Sequence, residues 1–214
     1  MNFLREPISS ITHLIGGGLS VIALIAFILK QTVCGSINPA LFASTIIFGV
    51  SMILLYFTSG IYHAISSRKK RAIAIMKKID HSMIYVLIAG SYSPFCLYVL
   101  PKKIGLPVFI ILWIITLIGI TLKIIWTNMP RVFSTALYIA MGWTALFVIK
   151  DLYANLHKTA FFLLVLGGVL YTIGGIIYAI KKPNLKNWNF HDIFHIFIML
   201  GSLSHFLLVF LYII

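Results

Sequence analysis

Charged side chains are scarce in this chain: they make up 10% of its 214 residues, and only four of those residues are acidic. A soluble domain of that size cannot hide the remainder, which is 61% hydrophobic with a mean hydropathy of +1.05. Cysteine is almost as rare. Cys34 and Cys96 make neither a metal-ligand spacing nor a disulfide framework, and they read as two buried thiols, with a bridge between them as the alternative. No long polar stretch offers a second domain, and no internal repeat supports an inverted-repeat transporter. The first apolar run lacks the charged leader and small-residue cleavage site of a secretory signal, so it is expected to remain as a transmembrane helix. The net charge of +13 sits in short loops between apolar runs. That distribution suits anionic lipid headgroups, and no nucleic-acid partner is expected.

What is present is a series of hydrocarbon-length apolar runs. A helical span needs about 20 mostly apolar residues, and seven such spans are expected, at about 11–30, 41–65, 80–100, 107–126, 133–150, 159–180 and 190–212. Proline, asparagine and basic residues mark the breaks, as at Asn38-Pro39, Pro101-Lys102-Lys103 and Lys181-Lys182-Pro183. Residues 72–79 are too short to span and read as an interfacial turn of helix. With a cytoplasmic N-terminus, twelve lysines and arginines fall inside and five outside, which places the C-terminus outside by the positive-inside rule. The expected fold is all-α, a single seven-helix bundle in the plasma (inner) membrane.

Topology then brings rare groups to one depth. Span 2 ends inside at His63, span 3 starts inside at Asp80, and span 7 starts inside at His191 and His195. His191 and His195 are four residues apart, as are Ser59 and His63, so each pair shares a helix face. Ionisable groups in membrane spans are costly and turn to the bundle interior. Three imidazoles with one open position suit catalytic Zn²⁺. Asp80 can bind the metal or act as general base on its water, and Ser59 can bond the water, a ligand or a developing oxyanion. Asp192 lies about 100° around the helix from His191 and is not expected to be a ligand. Glu6, His13 and His81 share the depth. His13 can donate to Asp80 or Glu6, His81 is expected to point to another face, and Glu6 before Pro7 can also serve as a helix cap. His205, about 15 Å farther along span 7, reads as an interhelical hydrogen-bonder or part of an outward passage.

At these residues the chain resembles the hemolysin III family, the bacterial branch of the progestin and adipoQ receptor (PAQR) superfamily. The matching stretches are Glu6-PISSITH-Leu14-IGGG, Ser59-GIY-His63, Asp80-HSMIYVLIAGSYSPF and His191-DIF-His195-IFIMLGSLSHF. The resemblance implies a seven-helix bundle, N-terminus inside, with zinc on His63, His191 and His195 and with Ser59 and Asp80 beside the metal-bound water. It also implies ceramidase-like hydrolysis of a lipid amide or ester as one expectation. The alternatives are a membrane-state regulator or lipid sensor with structural zinc, and a pore-forming cytolysin. The long N-terminal domain of the receptor members is not seen here, so the expected partners are membrane lipids and not a soluble hormone.

Overall fold

Within hydrocarbon every backbone N–H and C=O must find its partner inside the protein, which leaves an apolar segment little choice but helix. The structure, a computed structural model, describes residues 4–33, 37–126 and 128–214. Cys34 lies outside these residues, and with it the question of a bridge; Cys96 is buried in the core. Seven helical segments among the described residues are long and apolar enough to cross a membrane. They are α1 (Pro7–Val33), α2 (Pro39–Ala64), α3 (Lys70–Pro94) with a π-helical turn (Phe95–Val99), α4 (Lys102–Ile125), then α5 (Arg131–Gly142) running through a 3-10 turn (Trp143–Val148) into α6 (Ile149–Asn155), α7 (Lys158–Ile180) and α8 (Phe190–Tyr212).

Local chemistry sets the ends. Asn38 accepts from the amides of Ala40 and Leu41, and Pro39 follows it at the first helical position of α2, where a missing N–H costs nothing. Pro94 interrupts α3; the chain then widens by one residue, and the Leu100 amide reaches back five positions to the Phe95 carbonyl at 2.8 Å. Lys181 closes α7 in the left-handed conformation at φ 59°. Trp126 and Trp188, exposed near helix ends, stand where an aromatic belt belongs.

One expectation needs correction. Residues 72–79 are not a separate interfacial turn: α3 starts at Lys70 and runs unbroken through Asp80. Lys77 and Lys78 lower the hydropathy there without lowering helix propensity, so the helix continues beyond its apolar part. The fifth span stands where expected, at Arg131–Asn155, although its middle is a 3-10 turn. Tyr92 of α3 inserts its hydroxyl into the ladder, donating to the Gly142 carbonyl at 2.5 Å and accepting from the Ala145 amide at 2.9 Å, and such an insertion breaks regular helix geometry.

Successive helices alternate in direction, so α1, α3, α5 and α8 begin, and α2, α4 and α7 end, at one level. Contacts confirm the grouping: the Glu6 amide donates to the His63 carbonyl at 3.2 Å, Lys78 Nζ to the Ile124 carbonyl at 2.9 Å, and Arg131 Nη1 to the Tyr178 carbonyl at 3.4 Å. This level is called the basic face below. At the opposite level Lys30 of α1 donates to the Phe210 carbonyl of α8 and lies over the Phe210 ring at 4.7 Å, joining the first helix to the last.

Small residues let the helices approach. Tyr56 packs against the bare face of Gly16, Phe57 against Gly17 and Phe197 against Gly174, whereas Gly18 and Gly168 face open space. At Gly105 a Cβ would overlap the backbone carbonyl of Cys96, which cannot swing aside. We therefore expect Gly105→Ala to destabilise the detergent-solubilised protein by about 1–3 kcal/mol. Gly18→Ala should stay within about 0.5 kcal/mol of the parent or gain slightly in helix propensity. Thermal melting followed by circular dichroism checks both, and equal melting of the two variants would contradict the packing described.

Candidate metal centre

The site begins where α2 ends. His63 is 1% exposed, and its Nδ1–H donates to the carboxylate of Glu6. Glu6 is held in turn by Arg5, with Nε 3.3 Å from its carboxylate, and the Arg5 guanidinium lies 4.5 Å over the Tyr62 ring. The hydrogen bond from His63 keeps the Glu6 carboxyl below its ordinary value, against partial burial that pushes it up; the charge of Arg5 adds to the lowering. With Nδ1 occupied by its proton, the Nε2 lone pair of His63 is free to ligate.

Helix α8 supplies the other two rings. Asn189 caps it, accepting from the amides of His191 and Asp192, and the Asp192 carboxylate accepts from the Asn189 amide at 3.0 Å in return. The other Asp192 oxygen accepts from Ser9 Oγ of α1 at 2.6 Å. Ser9 also offers its carbonyl to His195 Nδ1 at 3.3 Å, so His195 Nε2 is bare as well. Asp192 is thus a clamp between α1 and α8, consistent with its position off the histidine face.

His63, His191 and His195 converge. One ligand nitrogen from each lies within 4.8 Å of the others, and the Nε2 atoms of His63 and His191 are 3.2 Å apart. Two nitrogens on a tetrahedral zinc at 2.0–2.1 Å stand about 3.3 Å apart. A carboxylate or carbonyl behind Nδ1, as at His63 and His195, is the usual outer support of a metal-bound histidine. The donor set therefore fits zinc in number and type, and the His63–His191 pair fits it in spacing.

The remaining candidates surround this cluster. Ser59 and Asp80, both buried, line a narrow cavity of about 120 Å³ together with His13, His191 and His195. His81 does not point away from Asp80: its Nδ1 is 3.3 Å from Asp80 Oδ2, because the imidazole can lean toward the carboxylate across the 100° between neighbours. The same Nδ1 is 2.8 Å from the Lys77 carbonyl, and Nε2 is 3.0 Å from the Tyr178 hydroxyl. His13 stacks flat on His195, centroids 3.5 Å apart, and neither ring nitrogen has a hydrogen-bond partner among the described residues; no bond to Asp80 or Glu6 forms. His205 donates from Nε2 to the Leu164 carbonyl of α7 at 3.3 Å, an interhelical bond. His63 and Glu6 face instead a wider cavity of about 520 Å³ on the basic face, and His191 lines both cavities. Ser9 and Tyr178 were not singled out from the sequence. Tyr178 ends the sixth span at the histidine depth and was findable by that rule, whereas one serine among many carries no signal.

The Haemolysin-III related family profile matches residues 1–206. The chain is 41% identical to the Hemolysin-3 homolog of Bacillus subtilis, covering 97% of this chain and 94% of that protein. It is 39% identical to Hemolysin-3 of Bacillus cereus, covering 99% and 93%. A more distant similarity, 23% identity over 75% of this chain and 41% of the relative, reaches the Adiponectin receptor protein of Drosophila melanogaster.

The clamp is testable without metal. Asp192→Ala removes the acceptor for both Ser9 Oγ and the Asn189 amide and should cost about 1–3 kcal/mol. Asp192→Asn keeps an acceptor oxygen and should cost less. Unaltered melting of Asp192→Ala would refute the clamp.

Proposed function

The chain belongs to the Haemolysin-III related family of multi-pass membrane proteins, and we propose that it is a zinc-dependent hydrolase of a lipid amide or ester, working from the cytoplasmic side of the bacterial inner membrane. The observation that carries the reading is the convergence of His63, His191 and His195, the last two of which line the narrow cavity that also holds Asp80 and Ser59. That cavity reaches His205, 14 residues beyond His191, hence about 21 Å along the helix. A lining that is mostly apolar over that length, with the polar cluster at one end, suits a hydrocarbon chain. The excess of basic residues at that end supports a cytoplasmic N-terminus.

Each residue then has a task. His63, His191 and His195 would hold the ion, and Glu6 and the Ser9 carbonyl fix the ring orientation of His63 and His195. When bound, zinc would supply Lewis acidity toward a carbonyl and water. Asp80 takes the proton from the attacking water and returns it to the leaving group. His81 holds the Asp80 carboxylate from one side and links it through Tyr178 to the wider cavity, where protons exchange with solvent. Ser59 donates to the oxyanion that develops at the carbonyl. The apolar slot keeps bulk water from the reacting end.

A second reading, membrane lysis, is favoured by the names of the two Bacillus relatives. It predicts dye release from liposomes carrying the purified chain, with no dependence on Asp80.

Elemental mass spectrometry of the purified chain should find about one zinc per molecule, lost on replacing His63, His191 or His195 with Ala. Full metal content in any of the three variants would remove that residue from the site. Asp80→Asn should keep the metal and lower lipid amide or ester hydrolysis at least about 100-fold. Unchanged turnover would take Asp80 out of the base role.

A further inference from the structure

The wider cavity on the basic face holds more positive charge than a histidine cluster needs. Lys77 and Lys78 of α3, Lys123 of α4 and Arg131 of α5 line it, and the one carboxylate on its wall, Glu6, is already engaged by His63 and Arg5. The ion pairs among the described residues join Arg5 to Glu6, His63 to Glu6 and His81 to Asp80, so none involves these four cations. Lys78 and Arg131 are held by neutral groups: Lys78 donates to the Ile124 carbonyl, and Arg131 lies 4.6 Å over the Tyr178 ring. Such contacts fix a cation in place while leaving its charge uncompensated.

Lys123 is the decisive residue. It is only 9% exposed, lies 5.6 Å from the Tyr138 ring, and has no hydrogen-bond acceptor or counter-ion among the described residues. Its stem is packed into the bundle and its ammonium opens on the cavity with no carboxylate to compensate it, a position that favours an anion. The start of α5 adds to the demand. Pro130 caps it with no side-chain acceptor, and Met129, Arg131 and Ser134 place this positive helix end at the cavity wall.

We infer that this vestibule binds the phosphate of an anionic phospholipid headgroup, anchored by Lys123 and flanked by Lys77, Lys78 and Arg131. Phosphate is the anion that several convergent lysines and an arginine bind best. The lipid source follows from continuity, because His81, Tyr178 and His191 line both this vestibule and the narrow apolar slot. A phosphate here puts the acyl part of the same molecule in that slot and its carbonyl beside the histidines. The anion site stands on the vestibule alone; naming a phosphate-bearing lipid as the substrate class rests on the hydrolase reading.

Native mass spectrometry of the full chain in neutral detergent tests the site. The probes are dioctanoyl phosphatidylglycerol, dioctanoylglycerol with the same chains and no phosphate, and inorganic phosphate. The phospholipid should bind at least about tenfold more tightly than the diacylglycerol. Lys123→Met should erase that preference, and Lys77→Gln, at an exposed position that cannot compromise folding, should weaken it. Lys150→Gln, at the opposite end of the bundle, should leave it intact. His195→Ala should keep the preference even if it loses metal, which separates failure of the anion site from failure of the zinc reading. Equal binding of the two lipids overturns the proposal, as does a preference that survives both Lys123→Met and Lys77→Gln. Inorganic phosphate binding as tightly as the phospholipid overturns the lipid source and leaves a soluble-anion site.

Discussion

Between helices in a bilayer the hydrophobic effect makes no choice, because lipid tails are as apolar as leucine. What turns a helix inward is its few polar groups, each of which must find a partner inside the protein or suffer the loss of its hydration. Nearly every long contact in this bundle has that character. Ser9 meets Asp192, Tyr56 and Tyr171 share Ser202, Ser204 reaches the Leu163 carbonyl, and Tyr92 enters the backbone ladder of the fifth span. Leucine and isoleucine faces look outward on every span, as at Ile22, Ile118 and Ile180. The polar network orients the bundle, and the apolar residues fill what it leaves.

The histidine cluster is the densest knot of that network, and it is supported from three directions. Glu6 and the Ser9 carbonyl come from the start of α1, the cap of α8 fixes its first turn, and α3 brings Asp80 and His81 alongside. Rings 4.6–4.9 Å apart at their centroids are held from behind as well as from each side. Such outer support holds the three rings in fixed mutual orientation, which histidines that merely share a depth would lack.

The seven spans were readable because each break carries its own chemistry, and the meeting of His63, Asp80, His191 and His195 was readable because alternating spans fix depth. What escaped the sequence depends on partners from elsewhere. The break after Gly142 needs the Tyr92 hydroxyl fifty residues away, and the widened turn after Pro94 gives no periodic signal. The start of α3 was misread because hydropathy reports the membrane and not the helix, which here runs on past the hydrocarbon edge. His81 was misplaced because helical spacing fixes where a Cβ sits, not where the imidazole leans. Lys123 read as one more positive-inside lysine, and only its burial without a counter-ion set it apart.

The seam between α1 and α8 joins the two ends of the chain, with Ser9 bonded to a residue 183 positions later. A chain leaving the ribosome therefore inserts Glu6, Ser9 and His63 early and waits for its last span before the cluster can exist at all. Loss of the last span leaves His63 without its partners, so the histidine cluster forms only in a chain that has threaded all seven.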